Sequence, residues 1–352
     1  MALTARIKKR YGDFQLDAAF SAENGEPLAL LGTSGCGKSV TLKCLAGIER
    51  PDWGYIELDG QVLFDSEKKI DLPPQKRQIG YLFQQYALFP NMTVEQNIAA
   101  CLRHLKKPQR AARVQELIEA LHLQGAEKLL PRQISGGQQQ RTALARILAS
   151  EPRAILLDEP LSALDSCLRW QLETELQDVL DRFGGPAVWV SHDQGEVYRN
   201  CRRVCVLDRG KSSPVTGWPE LMDDPHSVSA ARISGCRNYV PFTAGPEAGL
   251  VSVPSWGLTL RTAGAGHGKA SVLGVRDDRV RLSPEGAGNA FPCRVRRVTE
   301  DVSSMLAVLE PVGASADAPP LRMEVRKEDW AAAEQDVIWA AIAPEDILLL
   351  EE

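Results

Sequence analysis

The sequence lacks several features that mark common classes of protein. None of its eight cysteines forms a Cys-x-x-Cys pair, which predicts that the thiols are reduced. Its five histidines are not spaced as paired metal ligands, so we expect no dedicated zinc site. No apolar run approaches the roughly 18 residues that a membrane-spanning helix needs. The first ten residues carry charges where a signal peptide needs an apolar stretch. Membrane spanning and secretion are therefore disfavoured.

An excess of basic charge is also missing. The 352 residues include 41 Lys and Arg against 46 Asp and Glu, a formal net charge of -5. This balance argues against nucleic-acid binding through bulk charge. With 44% hydrophobic and 25% charged residues, the chain has enough apolar content for a folded core. Its length favours two domains.

The pattern of apolar residues divides the chain into two regions. Short apolar segments, among them 27–31, 154–157, 187–190 and 204–207, alternate with helical patterns, which predicts an α/β domain with a largely parallel sheet. From about 90 to 150 the pattern is helical throughout, which predicts a helical subdomain. After about residue 237 turn residues and β-rich segments dominate. The prediction is an α/β domain over 1–236 and a small all-β, OB-like accessory domain over 237–352.

One glycine-rich segment has the spacing of a phosphate-binding loop. Gly32-Thr-Ser-Gly-Cys-Gly-Lys-Ser39 fits G-x-x-x-x-G-K-[ST], follows a strand candidate and precedes a helical pattern. Glycines let backbone N–H groups converge on phosphate oxygens, and the helix start adds partial positive charge. Lys38 is predicted to reach the terminal phosphates and Ser39 to bind Mg²⁺. The predicted nucleotide-binding residues here are Gly32, Thr33, Ser34, Gly35, Cys36, Gly37, Lys38, Ser39 and Val40.

Two acids follow the strand candidate 154–157. Asp158 is placed to hold Mg²⁺ directly or through water, and Glu159 to orient or deprotonate an attacking water. Without the loop, an Asp-Glu pair before Pro160 would equally suit a helix cap or a solvated turn. Together, the loop and the acids predict a P-loop NTPase.

A third motif narrows the class of NTPase. Ile134-Ser-Gly-Gly-Gln138 resembles the signature of the ATP-binding-cassette (ABC) family, whose usual first residue is Leu. In this resemblance, the signature of one subunit contacts the γ-phosphate of ATP bound by its partner, so that ATP lies between two chains in a head-to-tail dimer. The residues implied are Ser135, Gly136, Gly137 and Gln138. Alone, a Ser N-cap followed by glycines would look the same.

Further segments match motifs of the ABC family in order. Gln84 lies where the Q-loop glutamine would be, with Gln85 beside it as an alternative. Ser162-Ala-Leu-Asp165 looks like the D-loop, with Asp165 at the dimer interface, and Ser191-His192-Asp193 looks like the switch-histidine region. The resemblance implies Glu159, His192, Lys38 and Gln84 as catalytic residues, and Ser39, Gln84 and Asp158 as Mg²⁺ ligands.

The adenine-stacking residue has two candidates. Tyr11 matches the aromatic that stacks on adenine in this family, although packing in the core would also explain it. Phe14 is close by in the sequence and is the alternative.

The order of the domains resembles importer ATPases. Gly274-Val-Arg-Asp-Asp-Arg-Val-Arg-Leu282 resembles a strand of their accessory domain, and Ile233-Ser-Gly-Cys-Arg-Asn238 looks most like the molybdate-importer branch. The resemblance implies an ATP-hydrolysing homodimer at the cytoplasmic face of the membrane. Its partners would be integral-membrane permease subunits and, indirectly, a periplasmic or lipoprotein substrate-binding protein, with no nucleic acid.

Cargo is the least determined part of this resemblance. Molybdate is the implied cargo, with sulfate, another anion, a sugar or a metal as alternatives. A soluble ABC ATPase without a transport role is a more distant alternative. Regulation of the ATPase by cargo bound in the β domain is a further hypothesis.

Overall fold

The chain folds into two compact units. The computed structural model describes residues 2–162, 166–264, 269–331 and 336–352. The units are Met1–Trp218 and Pro219–Glu352. The second unit begins before the predicted boundary at 236 and 237, because a helix at Val228–Ile233 packs on a strand at Val272–Val275 within that unit.

The N-terminal unit contains one 12-stranded sheet and seven α-helices in its described part. The strands are β1 (Ala2–Tyr11), β2 (Phe14–Glu23), β3 (Leu28–Leu31), β4 (Trp53–Leu58), β5 (Gln61–Asp65), β6 (Ile70–Asp71), β7 (Ile79–Leu82), β8 (Ala154–Asp158), β9 (Ala187–Ser191), β10 (Arg203–Asp208), β11 (Lys211–Ser212) and β12 (Thr216–Gly217). The helices are α1 (Lys38–Ala46), α2 (Pro74–Arg77), α3 (Val94–Ala99), α4 (Lys107–Ala120), α5 (Gly136–Ala149), α6 (Ser166–Phe183) and α7 (Gln194–Asn200).

Five strands form the parallel part of this sheet, in the order β10-β3-β9-β8-β7. All residues of β3, β8 and β9 are buried, which explains why they read as continuous apolar runs in the sequence. Because these strands run parallel, their carboxyl ends meet at one edge of the sheet. The loop after β3 and the acids at the end of β8 therefore lie at the same edge.

The other part of the sheet is mostly antiparallel, which the sequence analysis did not predict. β1 pairs with β2 and β4, and β5 pairs with β4 and β6, all antiparallel. Asp59 and Gly60 join β4 to β5 with φ values of 50° and 79°. Two positive φ values at an Asp-Gly pair are typical of a two-residue hairpin turn, which forces the flanking strands to run antiparallel. The Asp-Gly pair is the signal for this hairpin in the sequence.

Helices alone occupy the described chain between β7 and β8. α3 packs on α4 and α5, and two 3₁₀ turns, Ala100–Leu102 and Pro131–Gln133, connect them. Their apolar faces are buried at residues such as Ile98, Leu117 and Leu144. This agrees with the helical subdomain predicted from about 90 to 150. Within the described ranges, no helix is both long and apolar enough to cross a bilayer.

The C-terminal unit is built mainly of strands, as predicted. Its strands are β13 (Asn238–Pro241), β14 (Thr243–Ala244), β15 (Leu250–Val253), β16 (Leu258–Arg261), β17 (Val272–Val275), β18 (Val280–Leu282), β19 (Ala290–Glu300), β20 (Ser304–Pro311), β21 (Leu321–Arg326), β22 (Val337–Ile342) and β23 (Leu348–Leu350). Its short helices are α8 (Trp218–Asp223), which begins at the boundary, α9 (Val228–Ile233) and α10 (Lys327–Ala331). A five-stranded sheet in the order β18-β22-β19-β20-β21 and two three-stranded sheets surround a core that includes Trp256, Phe291 and Met323.

Candidate active site

The glycine-rich segment 32–39 forms a loop between β3 and α1 and closes around its own lysine. Gly37 has a φ of 110°, a left-handed value that glycine adopts without steric cost. The Lys38 amine donates hydrogen bonds to the carbonyl oxygens of Gly32 at 2.7 Å and Thr33 at 3.0 Å. Lys38 is only 6% exposed. The loop thus holds a positive charge at the start of a helix.

Asp158, at the end of β8, joins the loop helix to the neighbouring strand. One carboxylate oxygen accepts a hydrogen bond from Ser39 Oγ at 2.9 Å, and the other accepts one from the Tyr81 hydroxyl on β7 at 2.8 Å. Burial, followed by the nearby Asp158 charge, raises the pKa of Tyr81 well above its ordinary value. Tyr81 therefore remains a donor that fixes the carboxylate beside Ser39.

The hydroxyl and carboxylate oxygens of this pair suit Mg²⁺. Mg²⁺ in nucleotide sites takes one or two protein oxygens and completes its octahedron with phosphate and water. Ser39 and Asp158 supply such oxygens next to the loop. The described part of the chain has no group of three or more His, Cys, Asp or Glu that could hold a metal alone. A cation here would therefore depend on oxygens from a bound nucleotide.

Glu159 brings two other predicted side chains together. Its Oε2 accepts a hydrogen bond from Gln84 Nε2 at 3.2 Å, and its Oε1 lies 3.4 Å from His192 Nδ1. Its backbone φ is 48°, and its N–H donates to the carbonyl oxygen of Val190 on β9 at 3.0 Å. The pairing with β9 holds this unusual backbone conformation, with the carboxylate in contact with Gln84 and His192.

A cavity of about 610 Å³ lies over these groups. It is lined by Phe14, Ser34, Gly35, Gly37, Lys38, Ser39, Val40, Gln84, Glu159 and His192. A second cavity, of about 520 Å³, adjoins the loop from the side of Thr33 and Cys36. The structure thus brings Gln84, Glu159 and His192 together with the loop. Of the two adjacent glutamines, Gln84 is the one that lines the cavity.

The aromatic residue at this cavity is Phe14 and not Tyr11. A side chain added at Gly37 would meet the Phe14 ring at 3.0 Å, so Phe14 abuts the loop. The Tyr11 ring instead lies 5.2 Å from the Lys9 amine, and partial burial followed by a hydrogen bond to Glu49 raises the pKa of its hydroxyl to about 12. Of the two candidates, Phe14 is thus the one that lines the cavity, and which ring stacks on adenine stays a prediction.

The signature segment forms a helix cap at α5. Ser135 Oγ accepts a hydrogen bond from the Gln138 N–H at 3.3 Å, and Gln138 Oε1 accepts one from the Ser135 N–H at 3.0 Å. This reciprocal pair is a capping box. Among the described residues that line the cavity, none belongs to the signature, so Gly136 and Gly137 also lie away from it. Asp165 lies outside the described residues.

The comparisons with known proteins agree with this geometry. Residues 16–162 match the family model described as ABC transporter. Putrescine transport ATP-binding protein PotG of Escherichia coli (strain K12) is 41% identical over 276 residues, which cover 76% of this chain and 70% of that protein. Sulfate/thiosulfate import ATP-binding protein CysA of Gloeobacter violaceus is 42% identical over 300 residues, covering 84% of this chain and 81% of that protein. The chain belongs to the ABC transporter family.

Another ABC relative extends over more of the chain. Spermidine/putrescine import ATP-binding protein PotA of Acidothermus cellulolyticus is 34% identical over 338 residues, covering 92% of this chain and 86% of that protein. Among solved structures, a dimeric structure of a post-hydrolysis state of the ATP-binding cassette MJ0796, bound to ADP and Pi, matches with a TM-score of 0.53. It is 27% identical and covers 62% of this chain and 98% of that chain. This ABC protein is therefore an ATP-binding subunit of importer type, and it is an ATPase.

Sequence reasoning missed the role of Tyr81. The residue lies in the apolar strand β7, which pairs in parallel with β8, and its register partner is Leu156. The sequence does contain a signal for this role, because Tyr81 is a polar side chain in an apolar strand, three residues before Gln84. Its contact with Asp158 makes it part of the support for the predicted Mg²⁺ ligands of this ABC ATPase.

Proposed function

We propose that this chain is the ATPase subunit of an ABC importer and that it works as a head-to-tail homodimer. The import systems named for PotG, PotA and CysA support the role in import, and the dimeric cassette structure supports the assembly. The main support is that the N-termini of α1 and α5, which both suit a phosphate, do not line the same cavity. The start of α1 faces the cavity, whereas the signature at the start of α5 does not line it. A second copy would supply the missing signature.

The chemistry proposed is in-line attack of water on the γ-phosphate of ATP. Lys38 would stabilise charge on the terminal phosphates, and Glu159 would accept the proton of the attacking water. Gln84 and His192, which both contact Glu159, would orient the water and contact the γ-phosphate. Ser39, Asp158 and the amide oxygen of Gln84 would hold Mg²⁺, which would supply positive charge against the phosphates. The signature of the second copy would complete the site.

Nucleotide would control the assembly of the two copies. ATP binding favours the closed dimer, because the contacts with the signature exist only there. Hydrolysis removes the bridging phosphate and loosens the dimer, which gives an opening and closing cycle. Separate permease subunits would convert this cycle into transport. The chain would then act at the cytoplasmic face of the membrane, attached through the permease and without a nucleic-acid partner.

Replacing Glu159 with Gln tests this proposal. The change keeps the size of the side chain and removes the proposed base, so MgATP binding should persist, turnover should stop and the dimer should accumulate. Light scattering at saturating MgATP measures the mass directly. Glu119→Gln on the exposed face of α4 is the matched control and should behave like the unmodified chain. A Glu159→Gln variant that binds MgATP and remains monomeric would contradict the proposal.

We propose a polyamine as the cargo, with sulfate as the second candidate. The names of PotG and PotA support the first and that of CysA the second. These relatives give no support to the molybdate prediction. Uptake of labelled putrescine, sulfate or molybdate into vesicles holding the chain with its permease distinguishes the three. Regulation by cargo in the C-terminal unit stays a prediction.

A further inference from the structure

Helix α6 carries two acids that border its buried stripe on opposite sides. Leu172, Leu176 and Val179 form this stripe and are at most 8% exposed. Glu173 and Glu175 are two residues apart, which places them about 200° apart around the axis of an α-helix. Each acid can therefore contact a different neighbouring helix.

Glu175 binds the signature helix. Arg141, on α5, donates from Nε and Nη2 to the two carboxylate oxygens of Glu175, each at 2.6 Å. The side chains of Arg141 and Glu175 are 14% and 23% exposed, so water screens this pair less than a surface pair. A bidentate pair also fixes orientation, because both N–H groups must meet both oxygens. The helix that begins at the signature is thus tied to α6.

Two contacts tie the opposite side of α6 to α7. Near the C-terminal end of α7, the buried Glu173 accepts hydrogen bonds from Arg199 at 2.7 and 2.9 Å and from Asn200 at 2.7 Å. At its N-terminal end, Arg169 Nη1 donates to Asp193 Oδ2 at 3.2 Å. Both ends of α7 therefore follow α6.

The same contacts adjoin the turn that carries His192, which directly follows β9. Its side chain is 62% exposed, so packing does little to fix the ring. The turn that carries it is held instead: Asp193 donates its N–H to Ser191 Oγ at 3.0 Å and accepts one from the Glu196 N–H at 3.1 Å to cap α7. The distance of 3.4 Å between His192 and Glu159 thus depends on Asp193, which α6 holds through Arg169.

We propose that α6 is the link through which the signature helix sets the position of His192, with Glu175 and Asp193 as positioning residues for ATP hydrolysis. This inference rests on the proposed function, because α5 of one copy would bind the nucleotide held by the other. When α5 engages that nucleotide, the Arg141–Glu175 pair moves α6 with it, and α6 orients the turn at His192. Each copy would then hydrolyse its own ATP fastest when its signature is engaged.

Glu175→Gln in the full chain tests the first contact. The change keeps the shape of the side chain and removes its charge, so kcat for MgATP should fall about tenfold while the Kd of ATP for the monomer changes less than about twofold. The control is Glu116→Gln, which removes the acid of an exposed Arg113–Glu116 pair within α4 and should leave both constants unchanged. Combining Arg141→Glu with Glu175→Arg should recover most of the lost kcat.

A double-mutant cycle with Asp193→Asn tests the link itself. Glu175 and Asp193 share no partner in the described contacts, so independent effects on kcat would multiply. If α6 links them, the double variant should be only about as slow as the slower single variant. Multiplying effects, or a Glu175→Gln variant as active as Glu116→Gln, would overturn the inference.

Arg141→Lys tests the same contact from the side of α5. If circular dichroism shows that Glu175→Gln does not fold, Arg141→Lys replaces it, because lysine keeps the charge and loses the bidentate geometry. The same selective loss of kcat is expected, and an unchanged kcat overturns the inference. An unmodified chain that neither hydrolyses MgATP nor dimerises would instead contradict the proposed function.

Discussion

Glu159 has a backbone conformation that residues with a side chain rarely adopt. A left-handed φ of this kind costs on the order of 1–3 kcal/mol and persists only where the surroundings hold it. Here the Glu159 N–H donates to Val190, and the Glu159 carbonyl oxygen accepts hydrogen bonds from the N–H of Ser162 at 3.2 Å and its hydroxyl at 3.0 Å. The conformation directs the carboxylate toward Gln84 and His192, where the proposed chemistry needs it.

At the residue scale, Phe14 and Tyr11 are expected to differ in their contribution to ATP binding. Phe14→Ala should weaken ATP binding about tenfold, because stacking of a base on an aromatic ring contributes roughly 1–3 kcal/mol. Tyr11→Ala should change the Kd less than about twofold, since its ring lies outside the cavity. Titration calorimetry with ATP measures both. The opposite order of the two effects would identify Tyr11 as the residue that stacks on adenine.

At the scale of elements, α3 and α5 begin with the same capping box. Thr93 and Gln96 cap α3 with hydrogen bonds of 3.3 and 3.0 Å, the same two distances that Ser135 and Gln138 show at α5. The caps are therefore matched in local structure. Only the cap of α5 is proposed to contact a nucleotide, which separates the structural role of a cap from its catalytic role.

Comparing Ser135→Ala with Thr93→Ala separates the two roles, because both variants lose the same kind of N-cap. Each should lower the free energy of unfolding by about 1 kcal/mol, the usual cost of losing an N-cap. Only Ser135→Ala should also lower kcat for MgATP, by on the order of 10²-fold, because it removes a donor to the γ-phosphate. Urea unfolding and phosphate release provide the two readouts. Equal kcat values for the two variants would show that Ser135 is a cap and nothing more.

At the scale of the whole molecule, the active site is proposed to be shared between two copies. Lys38→Ala removes the loop charge and Ser135→Ala the signature hydroxyl, so each variant alone should be nearly inactive. In a mixed dimer, one of the two sites has both groups intact. Random pairing should therefore restore phosphate release above the level of either single variant, up to about a quarter of that of the unmodified chain.

The mixing experiment separates a shared site from a site within one chain. If Lys38 and Ser135 acted within the same chain, no mixture could assemble an intact site, and activity would stay at the level of the single variants. A double variant carrying both changes, mixed with either single variant, is the control and should restore nothing. The recovery should also depend on protein concentration, because it requires association.

The sequence predicted the parts of the fold that depend on local pattern. The loop 32–39, the helical subdomain and the buried strands of the parallel sheet all have a short-range signal in spacing or in apolar runs. The antiparallel strands were missed, and the sequence left Tyr11 and Phe14 open as the aromatic residue at the cavity. The hairpin at Asp59 and Gly60 has a local signal, whereas the pairing of β1 with the distant strand β4 and the contact of Phe14 with the loop cannot be read from neighbouring residues.

The sequence by itself determined the phosphate-binding loop, the pair of acids at the end of a strand and the capped signature helix. Each of these depends on residues close together in the chain. Only the tertiary structure decided which side chains meet. It joined Ser39 to Asp158 and Gln84 to Glu159, and it tied α5 and α7 to the two sides of α6. The physical reason is that such contacts depend on the order and direction of strands and on helix packing, which are set by burial across the whole unit.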